Sequence, residues 1–167
     1  MKILKTSAGF QGQPRNYAVV DKYLSRSAQP EKEDLSWLKE QGVTDIFNFR
    51  TMTVSAIDYD EKTEVEKLGM RYHHIPSITR KPQEANVENF LSQMKEIASN
   101  KGKAHIHCKA GADRTGMYAL IYKSLHKIGF WDLNKLEMIS KGHFFMKYPN
   151  VIPWAEKYIN KNLLFIK

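Results

Sequence analysis

At 167 residues the chain is long enough for one domain with a sizeable core, and 42% hydrophobic residues with a mean hydropathy of −0.52 fit a soluble globular protein. No apolar run approaches the length needed to span a bilayer, so no integral membrane contact is expected. The net charge of +8 and an isoelectric point near 9.5 favour anionic partners: nucleic acid, an anionic membrane or a phosphorylated substrate.

The lysines are scattered, with no stripe of base-stacking aromatics between them, which argues against nucleic acid. A single cysteine, Cys108, excludes an internal disulfide and fits a reducing compartment. The start, MKILKTSAGFQGQPRNY, has no apolar h-region, so no signal peptide is read and a cytoplasmic protein is expected.

In chain order, residues 1–16 are polar and irregular and are read as an extended or mobile N-terminal arm, with 17–167 as one domain. Tyr17 to Leu24 (YAVVDKYL) reads as a strand leading into SRSAQP. Pro30 and EKED open an amphipathic helix through Leu35, Trp37 and Leu38, stopped by Gly42. Val43 to Phe49 is a strand ending at Arg50. Asp58 or Asp60 caps a helix through Leu68, closed by Gly69. Arg71 to Ile75 is a third strand. After the loop PSITRKPQEAN, Val87, Phe90, Leu91, Met94 and Ile97 mark a helical stripe. Ala104 to His107 is a short strand, and GMYALIYKSLHKIG is a buried helix. Asp132 caps a helix over LNKLEMI, and a last helix runs from about Val151 to Asn160. Strands alternating with helices predict an α/β fold with a largely parallel sheet of four or five strands.

The stretch 107-HCKAGADRTG-116 falls at the C-terminal end of a strand, just before a helix. Open α/β sheets place ligands there. Unpaired N–H groups and the helix dipole favour an anion, and Gly111, with small Ala110 and Ala112, lets the backbone curl around it. Residues 109 to 114 thus form a nest for one phosphate, closed by the planar fork of Arg114. Cys108 lies at its floor, where the same donors favour a thiolate set for in-line attack on phosphorus. Thr115 is placed to hydrogen-bond the sulfur as it leaves, and His107 orders the loop.

These residues carry a resemblance. HCKAGADRTG fits the HCx5RS/T signature of the cysteine-dependent protein tyrosine phosphatase superfamily. SRSAQP, WLKEQGV, DIFNFR and LGMRYHHIP extend the similarity to compact bacterial dual-specificity-like and phytase-like members, over roughly residues 17–160. The resemblance implies a phosphocysteine intermediate and neither metal nor cofactor. It also implies a general acid, usually an aspartate about thirty residues before the cysteine. No aspartate stands between Asp60 and Asp113, and the expected loop offers only Glu84. Asp113 is the alternative acid, because a nearby phosphate dianion favours its protonated form. The Asp-Arg-Thr order resembles phosphoinositide phosphatases of the myotubularin and Sac types. Asp113 as a cap for loop N–H groups or a partner for a basic neighbour is the competing reading.

His73, His74, His105 and His107 match no zinc spacing. Arg26, Arg50, Arg80, Lys81 and Lys109 form an expected cationic rim for substrates with several phosphates, with Arg26 alternatively tying its strand to a neighbouring loop. The expected function is hydrolysis of a phosphomonoester: an inositol phosphate, a phosphoinositide or a phosphoprotein. A protein tyrosine or dual-specificity phosphatase proper, or a phosphate-binding pseudophosphatase, stands as the alternative.

Overall fold

The computed structural model describes residues 12–51 and 57–163. Among these residues five strands, β1 (Ala18–Val19), β2 (Leu24–Ser27), β3 (Asp45–Asn48), β4 (Arg71–His74) and β5 (Ala104–His107), form one sheet in the order β1-β2-β5-β3-β4. Only β1 runs antiparallel, paired with β2. The others are parallel, with Ser27 opposite His107, His107 opposite Asn48 and Asn48 opposite His74 along their C-terminal ends. Among the described residues six helices pack with the sheet: α1 (Lys32–Glu40), α2 (Glu61–Lys67), α3 (Glu84–Ser99), α4 (Asp113–Leu125), α5 (Trp131–Ser140) and α6 (Val151–Leu163). The α/β class and the largely parallel sheet are as the alternating pattern predicts.

β5 is central, so both of its faces are covered and all four residues are buried. Ala104 and Ile106 face the larger core, with Phe90 and Met94 of α3, Tyr118 and Leu120 of α4, and Tyr158 of α6. The smaller core gathers Leu35 and Leu38 of α1, Val65 of α2 and Ile46 of β3. The polar residues of these buried strands are paired. His105 Nδ1 lies 2.9 Å from Ser25 Oγ, and its Nε2 lies 2.7 Å from Ser27 Oγ. Phe49 stacks on Tyr118 with ring centres 3.8 Å apart, and the Tyr118 hydroxyl meets Ser77 Oγ at 2.7 Å. These contacts fix the loop after β4 against α4.

Three expectations change. YAVVDKYL is not one strand: the Asp21 side chain accepts the Tyr23 N–H at 2.8 Å, and this turn splits it into β1 and β2. Asp132 is not a cap; Phe130 holds that position, and Asp132 lies in the first turn of α5. Residues 12–16, the end of the expected arm, are packed in place. The Arg15 carbonyl accepts the Ala28 N–H at 2.9 Å, and Asn16 Nδ2 donates to the carbonyls of Ala110 and Lys141. Residues 1–11 lie outside the described residues.

Candidate active site

The central strand β5 delivers Cys108 to the C-terminal edge of the sheet, and residues 108–112 turn directly into α4. The turn needs Gly111, whose φ is +69°; a Cβ there would stand 2.5 Å from the backbone of Ser27 and Ala28. The back of the loop is tied down. The carbonyls of Lys109, Ala110 and Gly111 accept from Gln29 N (3.2 Å), Asn16 Nδ2 (3.0 Å) and Arg26 Nη2 (2.6 Å). A trans peptide aims its N–H opposite its carbonyl, so the N–H groups of Ala110, Gly111 and Ala112 face the other way.

Arg26 therefore does not belong to a cationic rim. It is fully buried beneath the loop, with Nη1 3.2 and 3.0 Å from the two Glu137 oxygens. Burial lowers its guanidinium below the ordinary arginine value, partly offset by Glu137 and Cys108. It links β2, the loop and α5.

In front of the loop lies a cleft of about 310 Å³ lined by Thr79, Cys108, Lys109, Ala110, Asp113, Arg114, Phe144, Lys147 and Tyr148. Cys108 is 3% exposed at its floor. Arg114 Nη1 donates to the Phe49 carbonyl at 3.2 Å, so the end of β3 aims the guanidinium. Gly111 and Ala112 are buried within the turn. Thr115 is buried in the first turn of α4, and its hydroxyl makes no hydrogen bond, to the Cys108 thiol or otherwise.

Asp113 has a basic neighbour that the sequence did not reveal. His143, in the turn after α5, is buried and places Nδ1 2.7 Å from Asp113 Oδ1. The Phe144 N–H reaches the same oxygen at 3.4 Å. Asp113 keeps 22% of its side chain exposed and lines the cleft. Glu84, the other candidate acid, points elsewhere: its Oε2 is 2.7 Å from Lys161 Nζ of α6.

Below the loop, His107 Nε2 is 2.8 Å from Oε1 of Glu61, a carboxylate 3% exposed. Glu61 also accepts from Gln29 Nε2 (2.9 Å) and Asn48 Nδ2 (2.8 Å). Burial raises its carboxyl, but His107, Gln29 and Asn48 outweigh that, and the net shift is downward. Asn48 Oδ1 and Gln29 Oε1 in turn accept from Arg50 N and Nη1, both at 2.8 Å.

Arg50 faces a second cleft of about 580 Å³, whose lining mixes the cations Arg15, Lys32 and Lys109 with the acids Glu31, Glu33 and Asp58. Arg80 lines a third cavity of about 280 Å³ beside Arg114 and Tyr148, with its Cζ 5.6 Å from the Tyr148 ring centre. Lys81 is exposed and lines none of these three clefts. The remaining four histidines are each engaged apart from one another: His73 with Asp45 at 2.7 Å, His74 with the Arg50 carbonyl at 2.7 Å, His105 with its two serines and His126 with the Tyr122 carbonyl at 2.9 Å.

A parallel sheet that presents one cysteine under a glycine-containing turn, with an arginine at the start of the following helix, defines the class of protein tyrosine phosphatase-like folds. Comparison with known proteins agrees. The family described as a DSP-PTPase phosphatase fused to NAD+ kinase matches residues 12–137, and the chain belongs to it. It is 27% identical over 122 residues to the dual specificity protein phosphatase TpbA of two Pseudomonas aeruginosa strains, covering 72% of this chain and 51% of theirs. The chain thus spans about half the length of these curated relatives. The crystal structure of P. aeruginosa TpbA superposes with a TM-score of 0.70 at 20% identity, over 88% of this chain and 90% of that one. The core catalytic domain of the PP-IP phosphatase SIW14 from S. cerevisiae gives a TM-score of 0.72 at 17% identity, over 92% of each chain.

Proposed function

We propose that the chain hydrolyses phosphomonoesters through a phosphocysteine, and that its substrate is a small polyanion such as an inositol phosphate or phosphoinositide. The Cys108 sulfur attacks phosphorus in line; the S–P bond forms as the P–O bond to the leaving group breaks. Arg114 and the N–H groups of Ala110, Gly111 and Ala112 hold the equatorial oxygens as their charge grows. Asp113 passes its proton to the leaving oxygen. Water then attacks phosphorus, gives its proton back to Asp113 and releases phosphate, while the sulfur leaves as thiolate. Thr115 rotates its unpaired hydroxyl to that sulfur. His143 holds Asp113 at the cleft wall.

One observation carries the choice of substrate. Three neighbouring clefts share cations: Lys109 borders both the Cys108 cleft and the Arg15–Arg50 cleft, and Arg114 borders both the Cys108 cleft and the Arg80 cavity. Such spacing suits an anion with phosphates beyond the one being cleaved. The name of SIW14, a PP-IP phosphatase, agrees with this reading. A phosphoprotein is the second reading, supported by the name of TpbA, a dual specificity protein phosphatase.

The test is phosphate release from an aryl phosphate, phosphotyrosine peptides, phosphoinositides and inositol hexakisphosphate, with Cys108→Ser beside the wild type. Faster release from the inositol compounds is expected, and none from Cys108→Ser. Preference for phosphopeptides would favour the second reading. Phosphate binding without release from any substrate would leave only a binding domain.

A further inference from the structure

Nine large hydrophobic side chains are conspicuously exposed among the described residues, and seven of them lie between Phe130 and Met146. α5 is apolar on two sides. Its inner side packs Met138 against Gly116 of α4, where any added Cβ would come within 2.7 Å of Met138 Cγ. Its outer side presents Leu133, Leu136 and Ile139, three residues apart and 59%, 59% and 42% exposed. Phe130 stands before them, and Phe144, Phe145 and Met146 follow in the next turn. An apolar patch of this kind marks an interaction surface.

The distribution of charge indicates what covers it. Residues 1–100 hold fourteen basic and fourteen acidic side chains. Residues 101–167 hold twelve basic and four acidic, so the entire net charge of +8 belongs to the part of the chain that carries the patch. Lys127, Lys135, Lys141 and Lys147 punctuate the apolar segment. Its two acids are both engaged: Asp132 by Lys135 at 2.8 Å, Glu137 by Arg26 at 3.0 Å. α5 itself holds one lysine, Lys135, while Lys127, Lys141 and Lys147 flank it, with Lys141 Nζ also donating to the Tyr17 carbonyl at 3.2 Å. An apolar helix face bordered by lysines suits the interface of an anionic bilayer. A second copy of the chain is disfavoured, because an isologous contact would oppose like-charged margins.

We infer that the outer face of α5, with the turn after it, docks on an anionic lipid bilayer. Phe144 and Lys147 also line the Cys108 cleft, so the docked chain holds its cleft mouth at the headgroup layer. That this serves catalysis on membrane-borne phosphates rests on the reading above; the docking does not.

The test is co-sedimentation of the full chain with vesicles of phosphatidylcholine alone or with about one-third phosphatidylserine. Wild type should bind the anionic vesicles at least about tenfold more tightly, and added salt should weaken the binding. Leu136→Gln with Ile139→Gln should reduce that affinity about tenfold while leaving hydrolysis of a soluble aryl phosphate unchanged. Cys108→Ser should bind vesicles like the wild type, which separates docking from turnover. Absence of vesicle binding would overturn the inference. So would equal affinity for both vesicle types, undiminished binding by the double variant, or a solution dimer that the double variant dissociates without any lipid binding.

Discussion

Asp113 occupies a position that serves two masters. It begins α4 beside Arg114, and it bonds His143 while facing the cleft. Asp113→Asn should lower turnover of alkyl phosphates about a hundredfold yet scarcely change a good aryl leaving group, because only the poor leaving group needs the proton. Equal small losses on both would remove Asp113 from the acid role. His143→Ala should produce a milder loss, about tenfold, with the same preference for alkyl substrates, since Asp113 stays but is no longer held. Steady-state rates on paired substrates read both outcomes. Asp113 was legible from the absence of any other aspartate between Asp60 and itself. His143 was not. It lies thirty residues on, in a turn with no motif, and only the packing of α5 against α4 brings it back.

Among the elements, β2 decides the shape of the loop. Its end leaves no room for a side chain at Gly111, and its Arg26 holds the Gly111 carbonyl. Gly111→Ala combines a left-handed φ with a clash against strand backbone, so it should cost about 1–3 kcal/mol or more and abolish activity. Thermal unfolding and phosphate release measure the two. β5 makes its own contribution through His105, which is fully buried. Burial lowers its pKa well below the ordinary histidine value, helped by nearby His107 and Lys103. A depressed value means stability present in full above the unfolded value, about 6.5, and lost as pH falls below it. The unfolding free energy, and Tm with it, should therefore drop between pH 7 and pH 5, the free energy by up to about 1.4 kcal/mol per pH unit from this group, and His105→Asn should flatten that slope. The strands and helices were largely legible from periodicity and glycine stops. β1 and β2 were not separated, because YAVVDKYL stays apolar across a turn made by one aspartate side chain.

At the scale of the molecule, the C-terminal edge of four parallel strands gathers the cysteine, its arginine and three clefts bordered by shared cations. The loop sequence alone located that edge and the family. The rim was read less well: Arg26 lies inside β2, fully buried as a brace, while Arg50 follows β3 and, though only 6% exposed, lines a separate cleft. Nor did periodicity reveal the outer face of α5. Leu133 and Leu136 carry a helical apolar signal that does not say which side meets the core. The proposed chemistry rests on a covalent phosphocysteine. The most direct measurement is mass spectrometry of the protein acid-quenched while it turns over an aryl phosphate. One phosphoryl group on the peptide carrying Cys108, absent from Cys108→Ser, is the expected result. Steady turnover with no phosphoryl group on Cys108, or turnover that survives in Cys108→Ser, would contradict it.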